Sequence, residues 1–256
     1  MITCIWCNRS QPVVSFNKTA HTFPHSLGGE GICMNVCDAC NHFFGSPQSQ
    51  SPAIEVVLKE VLNISKYILL LYANELPTGK RYKSEYFNFN LNQKTIKLKP
   101  RYSLRKGYQE KLGRLFCRGM YKVFLEERER QRNDAKDDRF DFIREFSRYG
   151  LGDYPIFYFK PKNGIVYYSS IDVNRPTIRF TEHSDQLDHD FKIFDYMIMG
   201  HTFGIPTSRY FVDHYLSSYK KYLVKIDYPF GTEIVPIRYI ENMDFTFRIL
   251  NNKTTQ

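Results

Sequence analysis

Two short runs near the start of the chain decide how it folds: Cys4-Ile5-Trp6-Cys7 and Cys37-Asp38-Ala39-Cys40. Each places two thiols three positions apart, so that both sulfurs can turn onto one ion. Four thiolates in two such knuckles suit a tetrahedral structural zinc. Cys4, Cys7, Cys37 and Cys40 are therefore the expected zinc ligands. Five of the six cysteines fall within the first 40 residues. Cys33 and Cys117 are left over and read as small buried apolar side chains.

Working outward, 29 residues separate the knuckles, more than a plain zinc ribbon needs. They include Ala20-His21-Thr22-Phe23-Pro24-His25-Ser26-Leu27-Gly28-Gly29 and end on Asn35-Val36. Asn41-His42-Phe43-Phe44-Gly45 follows the last knuckle cysteine. The loop is long enough for a β-hairpin, with Gly28-Gly29 as its reversal. Next comes Ser46-Pro47-Gln48-Ser49-Gln50-Ser51-Pro52, a polar stretch with two prolines that reads as a linker. It divides the chain into a small module, residues 1–48, and a larger region, residues 54–256.

In the larger region Ile54, Val57, Leu58, Val61, Leu62, Ile68, Leu69 and Tyr72 recur at helical spacing. Phe87, Phe89 and Leu91, then Ile96 and Leu98, alternate with polar residues around Asn92-Gln93, which predicts a strand pair. A helix is expected from about Leu104 to about Arg130, and a short one from Arg139 to Arg148. Asn163-Gly164 predicts a hairpin between Ile156–Phe159 and Ile165–Tyr168. Further strands are expected at Phe191–Met199, Tyr222–Ile226 and Phe245–Leu250, with a helix at Ser208–Tyr219. The fold class expected is α+β: a small zinc-stabilised module followed by a larger domain of mixed helices and strands.

The order of elements in the first 46 residues resembles the HNH endonuclease superfamily, the ββα-metal nucleases, in the branch with two zinc knuckles. The matching features are the CxxC pairs, His21-x-x-Pro24-x-Ser26-Leu27-Gly28-Gly29, Asn35 ahead of the second knuckle, and Cys40-Asn41 at its end. The resemblance implies that His21 is the general base, since imidazole titrates near neutrality. It implies that Asn35 orients that histidine. It implies that the Asn41 oxygen binds a catalytic Mg²⁺ or Mn²⁺. One departure stands out. The residue before the base is usually acidic or histidine and ligates that metal, but here it is Ala20. Asp38 and His25 are the expected substitutes, in that order, with Glu30 also near in sequence. His42 should face away from Asn41.

Charge points to the partner. Lys+Arg number 36 against 27 Asp+Glu, a formal +9, which suggests a polyanion. The first 48 residues are formally neutral. Residues 80–122 carry thirteen basic side chains against Glu85 and Glu110, a formal +11. Lys111, Arg114, Arg118 and Lys122 fall on one helical face, beside an apolar side, and are expected to form a ridge for phosphates. Lys97 and Lys99 would extend it. The mixed charges from Glu126 to Asp138 read as a solvated helix end. The cluster Glu182–Asp190 reads as a hydrated loop, and His201 as a core or turn histidine.

The longest dense apolar run, Tyr67 to Ala73, is far too short to span a bilayer. No secretory leader is recognised at the start. A cytoplasmic protein without a membrane partner is expected. The leading functional expectation is a metal-dependent endonuclease hydrolysing DNA, with RNA left open. The resemblance places it among restriction, phage-defence or mobile-element nucleases. Double-strand breaks would call for a homodimer or for sequential nicking. The competing readings are a non-catalytic zinc module that binds nucleic acid, for which Ala20 is the argument, and a second region that serves protein interaction or ligand sensing.

Overall fold

The computed structural model describes residues 2–49, 51–75, 83–90, 92–93, 95–103, 105–160, 175–211, 213–226 and 233–240. The fold is α+β, with the cysteine cluster at its N-terminal end.

The N-terminal segment is a minimal ββα unit. Single antiparallel bridges join Thr3 to Ser10 and His21 to Ile32, and α1, Asp38–Gly45, follows. Gly28 closes the turn between the His21 and Ile32 arms with φ at 96°, a left-handed conformation that suits glycine. Beside it, a Cβ on Gly29 would lie 2.3 Å from the carbonyl oxygen of Phe23. The glycine pair thus reverses the hairpin, as its sequence suggests.

The polar stretch after α1 is closed by a backbone bridge. Gln48 and Ser51 exchange backbone hydrogen bonds of 3.0 and 2.8 Å, and the turn leads directly into α2, Ile54–Tyr72. Helix α3, Lys106–Arg132, packs along α2. Gly119 permits the approach, because a Cβ there would already sit 3.3 Å from Ile54 and Leu58. Buried residues run without a break from Cys4, Trp6 and Phe44 through Leu58 and Leu62 to Phe116 and Phe124. The cysteine-rich segment and the long helices therefore share one core.

Between the helices lies a two-stranded sheet, β1 (Phe87–Asn90) with β2 (Thr95–Leu98), antiparallel as expected. After α3 come a 3₁₀ turn at Asp138–Phe140, the four-residue α4 at Asp141–Arg144, and a π-type turn at Glu145–Tyr149. Gly150, at φ 72°, ends this run. A second antiparallel sheet has the order β4-β5-β3-β6, formed by Ile193–Ile198, His201–Pro206, Phe157–Lys160 and Glu233–Pro236. Alternation along the strands divides its faces. Tyr158, Phe194 and Phe203 join the main core, with Phe203 5.7 Å from Phe116. Phe157, Phe159 and Ile193 face a smaller cluster with α5 (Glu182–Phe191) and α6 (Asp213–Lys225).

Several expectations fail here. Tyr222–Ile226 is not a strand: α6 continues through Lys225, because Tyr219 and Leu223 bury the same helical face while Val224 and Ile226 stay exposed. Glu182–Asp190 is not a loop but most of α5, started by a capping box between Thr181 and Ser184. Lys106–Arg132 also begins and ends two residues later than expected. The Asn163-Gly164 hairpin turn and the Phe245–Leu250 strand lie outside the described residues.

Candidate active site and zinc centre

The sulfurs of Cys4, Cys7, Cys37 and Cys40 lie within 4.8 Å of one another, and Cys7 and Cys37 are 3.8 Å apart. A tetrahedron of sulfurs about 2.3 Å from zinc has edges of about 3.8 Å, so the four thiols fit that ion. One sulfur is favoured as the anion: burial raises the Cys7 thiol and the hydrogen bond with Cys4 raises the Cys40 thiol. The Cys4 thiol is held at about 5 by the hydrogen bond from Cys40, together with the backbone N–H groups of Cys37 and Trp6. The Arg148 guanidinium pulls the Cys40 pKa down and stacks 3.8 Å from the Phe43 ring centroid. It brings positive charge against a cluster that is negative once its thiols ionise. Cys33 is buried outside the cluster, and desolvation pushes its thiol up. It behaves as an apolar side chain.

His21 sits on the first hairpin arm and is half-buried. Its ring centroid is 5.2 Å from that of His25. Its Nδ1 is buried and meets no hydrogen-bond partner among the described residues. Asn41, in the first turns of α1, donates its side-chain amide to Thr19 O at 3.0 Å. That bond ties the helix to the strand two residues ahead of His21 and leaves Oδ1 as the atom suited to a cation. Asn35 does not reach His21 by any hydrogen bond given by the described residues; its amide donates to Glu129 on α3.

The polar groups near Ala20 in sequence have different surroundings. Ala20 is itself packed into the core at 2 % exposure. Asp38 spends both oxygens on the neighbouring loop, accepting from Ser15 Oγ at 2.7 Å and Lys18 N at 2.8 Å, and these bonds lower its pKa. Glu30 pairs with Arg175 at 3.2 Å. His25 is exposed beside His21. His42 is exposed and bonds Ser46, facing elsewhere as expected.

Residues 4–50 match the HNH endonuclease family. The match covers under a fifth of the chain and contains all four clustered cysteines, His21, Asn35 and Asn41. No curated protein and no solved structure matches the chain. An HNH segment implies a nucleic acid substrate and use of a divalent metal at family level. Among the described residues, no helix is long and apolar enough to cross a membrane.

The structure corrects the basic ridge. Lys122 is not on the surface: it is 1 % exposed. Its ammonium lies 2.9 Å from both Glu55 and Glu126 and donates to His21 O at 2.6 Å and Thr22 O at 3.1 Å. Arg118 donates through Nε and Nη2 to Ser147 O at 3.1 and 3.0 Å. Arg114 donates to Gly150 O at 2.7 Å and Gly152 O at 2.8 Å. These guanidiniums meet carbonyls at the end of the Glu145–Tyr149 turn, where the chain's dipoles favour cations. Lys111 is half-buried and Lys97 exposed, while Lys99 donates to Ser84 O at 2.5 Å. A local charge count could not see these acceptors, because most lie tens of residues away.

The stretch after Lys122 departs further from expectation. Glu126, Glu127, Arg128 and Glu129 are buried rather than solvated. Trp6 Nε1 donates to Glu126 at 3.0 Å, and Thr22 Oγ1 to Glu127 at 2.5 Å. Gly31 makes room for the latter, since a Cβ there would lie 2.7 Å from both Thr22 Oγ1 and Glu127 Oε1. These acids are the residues that the sequence reading missed. Their charges alternate with Arg128, Arg130 and Arg132 in the sequence, which gives no sign of burial.

Proposed function

We propose that this protein is a metal-dependent endonuclease that hydrolyses phosphodiester bonds in DNA. The observation that carries the reading is the HNH-matching hairpin, closed by four cysteines, with His21 on one arm and Asn41 tied to that same arm. His21 takes the proton of the attacking water. Asn41 offers Oδ1 to a divalent cation, Mg²⁺ or Mn²⁺, which when bound stabilises charge on the scissile phosphate and the leaving oxygen. Asn35 braces the hairpin through its hydrogen bond to Glu129, not by touching the imidazole. The zinc held by Cys4, Cys7, Cys37 and Cys40 keeps the hairpin and α1 together.

The larger region binds the substrate backbone in this reading. Exposed Lys97 and half-buried Lys111 supply cationic contacts that give affinity without sequence readout. A cytoplasmic setting and a role in restriction, phage defence or mobile elements belong to the same proposal, as does a homodimer where both strands are cut.

A second reading is favoured by one observation: Ala20, where the family usually has a metal ligand, is sealed in the core. In that reading the protein is a non-catalytic zinc-containing nucleic-acid-binding protein. Plasmid cleavage with Mg²⁺ or Mn²⁺ separates the two. The nuclease reading expects nicking or linearisation by the parent protein and its loss in His21→Ala. Equal inactivity of both across metals and substrates would leave the binding protein.

A further inference from the structure

Asn35 is occupied by Glu129 and gives His21 no hydrogen bond. The hairpin arm offers little regular ladder. Thr22 N bonds Gly31 O and Cys33 N bonds Ala20 O, and the chain bends at Thr22 and Phe23. Carbonyls that leave a ladder inside a protein need other donors. Two lysines supply them from outside the hairpin. Lys66, on α2, donates to Leu27 O at 2.7 Å. Lys122, on α3, donates to His21 O and Thr22 O. The segment His21–Leu27 is thus stapled at both ends by buried ammonium groups.

Lys122 is the more constrained. Glu126 stands one helical turn away on α3 and Glu55 comes from α2, so the ammonium is referenced to both long helices. Desolvation opposes its charge, but Glu126 and Glu55 hold its pKa above the usual lysine value. Packing alone does not call for an ion here, because apolar residues of similar volume commonly replace buried ion pairs without loss. What an apolar side chain cannot do is donate to two successive carbonyls.

We infer that Lys122 is the positioning residue of the HNH site: through the carbonyls of His21 and Thr22, its ammonium fixes the backbone from which the His21 imidazole projects. The inference rests on the reading of His21 as general base, and it adds a residue far outside the HNH-matching segment. Lys122 does not touch the reacting atoms; it acts through His21.

The test uses the full chain loaded with zinc, as parent, Lys122→Met, Lys122→Met/Glu126→Gln and Glu55→Gln. Plasmid cleavage gives kcat and KM, and ring-labelled histidine gives the His21 resonances by NMR. Misplacing a catalytic group by about 1 Å costs on the order of 100-fold. The Lys122 variants should therefore lose about 10- to 100-fold in kcat per zinc-loaded molecule with KM nearly unchanged. The His21 ring signals should shift or broaden, while those of exposed His189 stay in place. Glu55→Gln, which keeps Lys122 but removes one of its anchors, should move the same signals less. If the Lys122→Met proteins do not fold, Glu55→Gln decides. Unmoved His21 signals and unchanged kcat in the folded variants would overturn the inference and leave Lys122 a stabilising residue only. If the parent cleaves nothing with any metal, the nuclease reading fails, and the ring signals still decide whether Lys122 positions His21.

Discussion

The side-chain amide of Asn35 donates to Oε1 of Glu129, which stands 94 positions further along the chain. Glu129 also accepts from Ala135 N at 3.2 Å, so it joins the hairpin to the turn after α3. A hydrogen bond to a charged acceptor contributes roughly 1.5–3 kcal/mol. Glu129→Ala should lower stability by about that much in urea denaturation. Glu129→Gln, which keeps an acceptor oxygen, should recover part of it. No difference between the alanine variant and the parent would show that the contact adds nothing.

Zinc retention should discriminate among the cysteines. Cys4→Ser and Cys40→Ser each remove one of four clustered sulfurs and should lose stoichiometric zinc along with the hairpin, since structural zinc supplies folding energy outright. Cys33→Ala should keep one zinc per chain, because Cys33 lies outside the cluster. Elemental analysis of purified proteins reads both. Zinc-free parent protein with a native fold would contradict the assignment.

Arg148 should tune that centre from outside it. Its guanidinium meets Cys40 and lies on Phe43, and removing a partner of a metal ligand typically weakens metal binding by about 10- to 100-fold. Arg148→Met retains an apolar stem over Phe43 but no donor. Zinc transfer to a chromophoric chelator should be faster in the variant by about tenfold or more; identical transfer curves would remove Arg148 from the zinc site.

Two buried groups give opposing pH slopes to stability. His201, between Ser65 Oγ at 2.5 Å and Tyr158 OH at 3.1 Å, is pushed down to about 4 by burial. The unfolded chain then binds the extra proton first, so this group's contribution is complete above about pH 6.5 and falls as pH drops toward 4. Burial pushes Glu126 up to about 7 against the pull of Lys122. Here the folded chain holds the extra proton, so stability falls as pH rises from about 4.5 through 7. Glu126→Gln should remove that second slope: its stability relative to the parent should improve between pH 6 and 8. Parallel pH profiles in urea denaturation would show that Glu126 does not titrate there.

What the sequence discloses follows the range of the interaction. The knuckles are legible because Cys4 and Cys7, and Cys37 and Cys40, are neighbours whose chemistry is set within four residues. Helix α2 is legible because its buried side chains repeat at one period, and the β1–β2 pair because Phe87, Phe89, Ile96 and Leu98 alternate. Helix α5 is hard to see because only Leu187 and partly buried Phe191 face the core; its start is written only in Thr181 and Ser184. Strand β5 hides for the opposite reason, being buried at all six positions and so lacking alternation. The fate of Lys122 was invisible in sequence because two of its partners, His21 and Thr22, lie about a hundred positions away.

Helix α3 runs unbroken for 27 residues, about 40 Å at 1.5 Å per residue. Its later turns grip Trp6, Thr22 and Asn35, while its first turns lie about 24 Å from Lys122. Between its ends it is gripped at Gly113, Arg118 and Gly119, so Lys122 is held in register with both α2 and the Ser147 turn. The same rigid element therefore spans from its first turns to the carbonyl that carries His21.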